Sequence, residues 1–247
     1  MSFTVVIPAR HGAERLPGKP LADIGGRPLI QWVYQAAAAA GPEAVWVATD
    51  DPRIQAVVEG FGGRAMLTGA QHASGTDRVA EAAVRLGLAP EAVVVNLQGD
   101  EPLMPPALIR RVAETLEAAA WAGAATAAAP LAGDDELNDP DVVKVVCDQR
   151  GAALYFSRAP IPWDRDGGGG AGGAARRHIG LYAYRVALLG RFSAWPVSPL
   201  EALERLEQLR LLHHGVEIAV CEAAEAPPPG VDSPADLERV RRLLDGG

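Results

Sequence analysis

The hydrophobic pattern falls into two regimes along the chain. Up to about residue 120, short apolar runs alternate with longer stretches whose apolar positions recur every three to four residues. Phe3 to Ile7, Ala44 to Ala48, Arg64 to Leu67 and Ala92 to Leu97 are short and apolar, mostly β-branched, which predicts strands. Between and after them, Pro28 to Ala40, Asp51 to Gly60, Arg78 to Leu86 and Pro106 to Ala120 read as helices. In the first of these, Leu29, Ile30, Val33, Ala36, Ala37 and Ala40 form one stripe, and Gly41 supplies the stop. Asp51 is placed to cap the second, with Pro52 in its first turn. Pro8 is expected to end the first strand, because it has no N–H for a ladder. This alternation predicts a mostly parallel, right-handed, helix-covered sheet.

After residue 120 the pattern changes. Ala124 to Ala129, Val142 to Cys147, Ala152 to Ser157 and Ile179 to Tyr184 are strand-like but joined by loops, which predicts antiparallel additions to the sheet. Val145 to Gly151 reads as a hairpin feeding Ala152. The run GGGGAGGAA at 167–175 reads as a mobile surface loop and not as a domain boundary. Ser198 caps a helix with Pro199 at its first position, continuous to His214. Leu200, Leu203, Leu206 and Leu211 form its apolar stripe, while Glu204, Glu207 and Gln208 share another face that base rates would give to solvent. Val216 to Cys221 is a last strand. Ser233 and Asp236 then open a final helix in the manner of a capping box, with Pro234 in the first turn. Asp232 either belongs to that cap or faces a ligand cleft, and the pattern does not choose.

Composition narrows the class. The chain has 247 residues, 49% of them hydrophobic, so a sizeable packed core is available. Its 23 Lys and Arg against 31 Asp and Glu give a net charge of −8, which argues against general affinity for nucleic acid. A small anion would need a local cluster of the opposite sign. Cys147 and Cys221 form no CxxC pair and lie in apolar runs, as buried structural thiols do. No signal-peptide pattern and no membrane-length apolar run stands out, so a soluble cytoplasmic protein is expected.

The local basic cluster lies in VVIPARHGAERLPGKP, residues 5–20. Arg10, Arg15 and Lys19 follow the first strand on a loop with Gly12 and Gly18. Three cations at the carboxyl end of a strand suit a polyanionic ligand. The loop is neither a GxGxxG fingerprint nor a Walker A loop, since Pro20 stands where the latter has its hydroxyl. A solvated basic loop is the alternative. GAQHASGTD at 69–77 opens into a helix, where Ser74, Gly75 and Thr76 can approach an oxygen-rich ligand or simply form a cap. VVVNL opens into Gln98, Gly99, Asp100 and Glu101. An Asp leaving an apolar strand suits magnesium, which takes one or two carboxylates plus substrate phosphates; a turn Asp is the alternative.

Taken in order, IPAR, RLPGKPL, ATDD, SGTDR, VNLQGDEP, ALYFSRAPIPWDRD, HIGLYAYR, SPLEALERLEQLR and GVDSPADLERV resemble the 3-deoxy-manno-octulosonate (KDO) cytidylyltransferase family across essentially the whole chain. The RLPGKP stretch and strand-end Asp are shared with other sugar nucleotidyltransferases. The resemblance implies a Rossmann-like nucleotidyltransferase α/β fold: a mostly parallel mixed sheet with helices on both faces, in one domain over 1–247 with a smaller sugar-binding lobe within 130–215. It implies a homodimer, Mg2+, and transfer of CMP from CTP to the anomeric hydroxyl of KDO, releasing pyrophosphate on the way to lipopolysaccharide. It assigns Arg10, Lys19 and Asp100 to catalysis. Ala9, Arg10, Arg15, Lys19, Ser74 and Gln98 would bind CTP, and Asp100 and Asp232 would hold the metal. Arg158, His178, Tyr182, Tyr184, Glu207 and Gln208 would line the sugar pocket. His11 and the pair Ala13-Glu14 depart from the family loop, and Glu14 adds a negative charge among the cations. A cytidylyltransferase for another acidic sugar and a non-catalytic nucleotide sensor are the competing readings.

Overall fold

The computed structural model describes residues 2–12, 16–167 and 171–245. Strand β1 (Phe3–Ala9) leads through a small hairpin, β2 (Asp23–Ile24) and β3 (Arg27–Pro28), into helix α1 (Leu29–Ala39). Then come β4 (Ala44–Thr49), α2 (Pro52–Gly60), β5 (Ala65–Leu67), α3 (Gly75–Arg85), β6 (Val93–Asn96) and α4 (Pro106–Ala118). The second half runs β7 (Ala124–Pro130), α5 (Asp134–Asn138), β8 (Lys144–Cys147), β9 (Ala153–Ser157), α6 (Ala171–Ala174), β10 (Arg176–Arg185) and α7 (Val186–Ala194). It closes with α8 (Pro199–Glu204), α9 (Gln208–His213), β11 (Ile218–Glu222) and α10 (Pro234–Asp245).

Among the described residues nine of these strands form one mixed sheet in the order β11-β7-β10-β6-β1-β4-β5, with β8 paired to β10 and β9, while β2 and β3 pair only with each other. The inner strand β10 is antiparallel to both β6 and β7, while β1 is parallel to β4 and β6, β4 to β5, and β7 to β11. The other six strands of the path therefore share one direction. Val5 and Ile7 pack on one face with α1, α2, α4 and α10; Val6 packs on the other with α3, α7 and α9. A strand's period of two sends neighbours to opposite faces, so a wholly apolar run is what a sheet covered on both sides requires.

Several expectations are corrected. Strand β1 continues through Pro8 to Ala9. Its pairing with β6 ends at Val6 opposite Asn96, and beyond that it pairs with β4 alone, so Pro8 sits where one side needs no ladder. Helix α3 starts at Gly75, three residues before the expected Arg78, with Ser74 accepting the Asp77 N–H as cap. The helix expected from 199 to 214 is two helices. Arg205 lies in the left-handed region at φ 55°, ψ 43° and ends α8. Glu204 therefore closes α8, while Glu207 and Gln208 open α9, and the shared face is lost. Leu206 and Leu211 are buried as expected, but Leu200 and Leu203 are exposed. The β2–β3 hairpin was not expected; Gly25 and Gly26 both take positive φ, the requirement of its two-residue turn. Within the glycine-rich run, 168–170 lie outside the described residues and Ala171–Ala174 forms a short helix.

Other local readings match. Asp51 accepts the Arg53 N–H at 2.8 Å, and Ser233 and Asp236 exchange backbone bonds as a capping box. Cys221 is buried as expected, whereas Cys147 is only half-buried; desolvation pushes the Cys147 thiol up to about 11 and raises that of Cys221. No helix among the described residues is long and apolar enough to cross a membrane.

Candidate active site

From β1 the chain crosses to β4 on one side, whereas the other neighbour, β6, borders the reversed strand β10. The crevice beyond the carboxyl ends of β1 and β6 is therefore a topological switch point, where open α/β sheets bind ligands. A cleft of about 490 Å³ opens there. Ala9 and Arg10 enter it from β1, Ser74 and Gly75 from the start of α3, Gln98 to Asp100 from β6, and Asp232 from the turn before α10.

Backbone proximity holds this crevice narrow. A Cβ placed on Gly99 would lie 2.8 Å from the Pro8 carbonyl oxygen, so only glycine lets the two loops come this close. Gly99→Ala is therefore predicted to part the cleft walls and cut kcat/KM for the nucleotide about tenfold or more, since misplacement by about 1 Å can cost a hundredfold. Steady-state kinetics beside a melting curve checks this, and a native value for the variant would refute it.

Lys19 is presented by the RLPGKPL stretch for a local reason. Gly18 adopts φ 70° and caps a 3₁₀ turn over Lys19–Leu21, while its N–H bonds the His11 carbonyl at 3.0 Å and closes the loop. The Lys19 ammonium lies 2.6 Å from Asp100 Oδ2 and 3.1 Å from Asp232 Oδ1. Burial alone would lower its pKa, but the two carboxylates outweigh burial and raise it. Asp232, left open between cap and cleft by the sequence, thus faces the cleft, and Asp236 serves the cap. Next to Asp100, burial and the charges of Asp100 and Asp232 push the Glu101 carboxyl up to about 8. Negative charge is concentrated here, and it calls for cations.

Those carboxylates fit a divalent ion. Among the described residues no three His, Cys, Asp or Glu side chains form a metal cage. Magnesium does not need one, because it takes one or two carboxylates and completes its shell with water and phosphate oxygens. Asp100 and Asp232 already converge on one cationic nitrogen, the arrangement such a partial site requires.

Every described residue expected to contact CTP or metal lines this cleft: Ala9, Arg10, Lys19, Ser74, Gln98, Asp100 and Asp232. Arg15, and with it Glu14, lies outside the described residues. Arg78 and His72 also line the cleft and were not expected there. Arg78 is 4% exposed and donates to Thr68 Oγ1 at 2.6 Å and Asp50 Oδ2 at 2.9 Å, tying α3 to the end of β4. His72 lines the cleft and bonds Glu81, which also accepts the Gly69 N–H at 2.9 Å and so anchors the loop before α3. The signal for Arg78 was a charge on a helix whose neighbouring positions, Val79, Ala82 and Ala83, are core.

The expected sugar residues lie beyond the wall formed by α3. On β10, His178 Nε2 meets the Tyr182 hydroxyl at 2.9 Å and Thr126 Oγ1 at 3.1 Å, and burial lowers its pKa to about 3, so the ring is neutral. A register shift between Ile179 and Tyr182 is filled by the Thr126 hydroxyl, which donates toward the Ile179 and Leu181 carbonyls. Such a bulge re-aims the side chains after it. Tyr182 and Tyr184 stack at 5.6 Å. Burial raises the Glu207 carboxyl above the usual range, although the Thr76 and Ser74 hydroxyls draw it back. The Gln208 side-chain nitrogen is buried without a protein partner, an open donor of the kind a ligand satisfies. Arg158 is placed differently: its guanidinium donates to the Glu204 carbonyl at 2.8 Å and the Pro140 carbonyl at 2.9 Å, so it braces the chain around the pocket.

Comparison with known proteins bears on the family and the fold. A family model described as cytidylyltransferase matches residues 4–218. A protein of Halorhodospira halophila named 3-deoxy-manno-octulosonate cytidylyltransferase is 56% identical, over 98% of this chain and 97% of its own. One of the same name from Saccharophagus degradans is 52% identical over 99% of both. A solved structure described as CMP:2-keto-3-deoxy-manno-octonic acid synthetase complexed with CTP superposes with a TM-score of 0.92 at 44% identity, over 100% of this chain and 99% of that one.

Proposed function

The chain belongs to the cytidylyltransferase family, and on that premise we propose that it transfers CMP from CTP to the anomeric hydroxyl of KDO, releasing pyrophosphate. One observation carries the site assignment. Asp100 and Asp232, 132 positions apart, converge with Lys19 in a cleft that Gln98 and Ser74 also line.

The chemistry follows from these groups. The sugar hydroxyl attacks the α-phosphorus, and the bond to the bridging oxygen of pyrophosphate breaks. Such a displacement needs alignment and charge neutralisation more than a covalent nucleophile. Arg10 and Lys19 offset charge on the triphosphate and on the departing pyrophosphate. Gln98 and Ser74 face the cytidine portion. Asp100 and Asp232 would hold Mg2+, which when bound lowers the pKa of a coordinated hydroxyl and neutralises phosphate charge. Glu207 and the open amide of Gln208 bind the sugar hydroxyls, with Tyr182, Tyr184 and neutral His178 forming the buried wall. Arg158 holds that side in shape. The segment within 130–215 is the sugar lobe, and the reaction takes place in the cytoplasm on the route to lipopolysaccharide.

Pyrophosphate release tests this reading. The protein with CTP and magnesium should release it rapidly with KDO and slowly with sialic acid or an amino analogue of KDO. No release above a protein-free control would remove the function, and a preference for another acid would change the substrate.

The same lobe supplies the proposed homodimer contact. Leu154, Trp163, Val197 and Leu203 are all more than half exposed there, at 61%, 80%, 59% and 81%. Contiguous exposed apolar surface marks an association face, and we propose that these four side chains supply it. Leu203→Glu is predicted to convert a dimer into monomer in light scattering after size exclusion. A variant that still elutes as a dimer would place the contact elsewhere.

A further inference from the structure

Between the nucleotide cleft and the sugar residues runs a line of side-chain hydrogen bonds. Gln98 Nε2 donates to Asn96 Oδ1 at 3.1 Å. Asn96 Nδ2 donates to Thr76 Oγ1 at 3.4 Å, and the Thr76 hydroxyl donates to Glu207 Oε1. Gln98 lines the cleft; Asn96 and Thr76 are each 2% exposed. The three donors point the same way. An amide accepts on one side and donates on the other, and a hydroxyl has a single proton. While Asn96 gives its N–H to Thr76, the Thr76 proton is free to go to Glu207. Turning the Asn96 amide would offer Thr76 an acceptor and draw that proton away.

We infer that Asn96 and Thr76 are positioning residues that transmit the orientation of Gln98 in the nucleotide cleft to the Glu207 carboxylate in the sugar pocket. This rests on the functional reading above. The line crosses from the end of β6 through the first turn of α3 to the start of α9, and the Ser74 hydroxyl, which also lines the cleft, bonds Glu207 beside it. Chains of hydrogen bonds in a dry interior polarise one another, so the state of one end is felt at the other. A nucleotide that fixes Gln98 thereby fixes Glu207, and sugar affinity rises with CTP occupancy.

The test is a matrix of initial rates with both substrates varied, using pyrophosphate release, alongside melting curves. In the unaltered enzyme the apparent KM for KDO should fall as CTP rises. Thr76→Val keeps the shape and removes the hydroxyl. It should raise the KDO KM about tenfold, as for a lost hydrogen bond to a charged group, and abolish its dependence on CTP. By reciprocity the CTP KM should lose its dependence on KDO in this variant, and at KDO well below its KM it should change less than twofold. Thr76→Ser should restore native behaviour. Asn96→Asp, which presents an acceptor to the Thr76 hydroxyl, should reproduce the Thr76→Val pattern even if the latter folds poorly. An unchanged KDO KM in both variants overturns the inference, as does a parallel rise in both KM values with no rescue by serine. No pyrophosphate release from the unaltered chain overturns the functional reading and the inference together, whereas release with unaffected variants overturns the inference alone.

Discussion

Asp100→Asn will lose turnover by at least about a hundredfold while the protein keeps its fold. Asp100 stands where β6 opens into the cleft and accepts the Lys19 ammonium at 2.6 Å. Its carboxylate does two things. With Asp232 it would supply the hard oxygens for Mg2+, a group worth several kcal/mol of transition-state stabilisation when bound, where each 1.36 kcal/mol is a factor of ten. It also sets the position of Lys19 against the phosphates. An amide of the same shape keeps neither the charge nor the full acceptor capacity. Asp100 is partly exposed, at 29% of its side chain, so the fold has little to lose. The expected signature is a fall in kcat with a melting temperature within a few degrees of native. Near-native turnover would remove Asp100 from the catalytic set.

The second large effect is on stability. Glu201 on α8 and Arg210 on α9 are each 8% exposed. Arg210 Nε donates to Glu201 Oε2 at 2.7 Å and its terminal nitrogen to the other oxygen, a bidentate pair. Glu201 also accepts the Ser198 N–H, and the guanidinium lies 4.3 Å from the Phe192 ring centre. Because Arg205 interrupts the helix, this pair fixes α9, and with it Glu207 and Gln208, against α8. Arg210→Ala leaves a buried carboxylate unpaired, which costs about 3–5 kcal/mol. At about 2–4 °C per kcal/mol for a chain near this size, melting should fall by about 6–20 °C. Replacing both partners, Glu201→Leu with Arg210→Met, should recover most of that loss, since well-packed apolar pairs stand in for buried ions. The double variant failing as badly as Arg210→Ala would mean that the pair does more than remove a desolvation penalty.

The parts of this molecule that were legible in the sequence are those dictated by local physics. Val93 to Asn96 and Phe3 to Ile7 could hardly be anything but buried strands, and Asp51, Ser198 and Ser233 announce their helices by their caps. The break at Arg205 was not legible. The leucine spacing from Leu200 to Leu211 continues through it, and only the tertiary pairing of Glu201 with Arg210 compensates a left-handed residue without glycine. The start of α3 was misplaced because Gly75 and Thr76 are poor helix formers, whereas Ser74 as a cap makes Gly75 the first turn. Arg10, Gln98 and Asp100 were legible as cleft residues because they follow strands, whereas Ser74 and Asp232 read equally well as helix caps. The extension of the site into the sugar half was only partly legible. Asn96 is a lone amide in an apolar strand, a signal that a buried polar partner must exist. Nothing in the sequence says that this partner is Thr76, or that Thr76 reaches Glu207, since those contacts span 20 and 131 positions.

The account turns on one claim, that CMP moves from CTP to KDO without a hydrolytic detour. Phosphorus NMR of the unaltered protein with CTP, magnesium and KDO measures it directly. The three CTP resonances should decline while pyrophosphate and a single new phosphodiester form in equimolar amounts, their signals growing two to one because pyrophosphate carries two phosphorus atoms. CTP that persists unchanged, or that gives CMP or CDP with no phosphodiester, would contradict it.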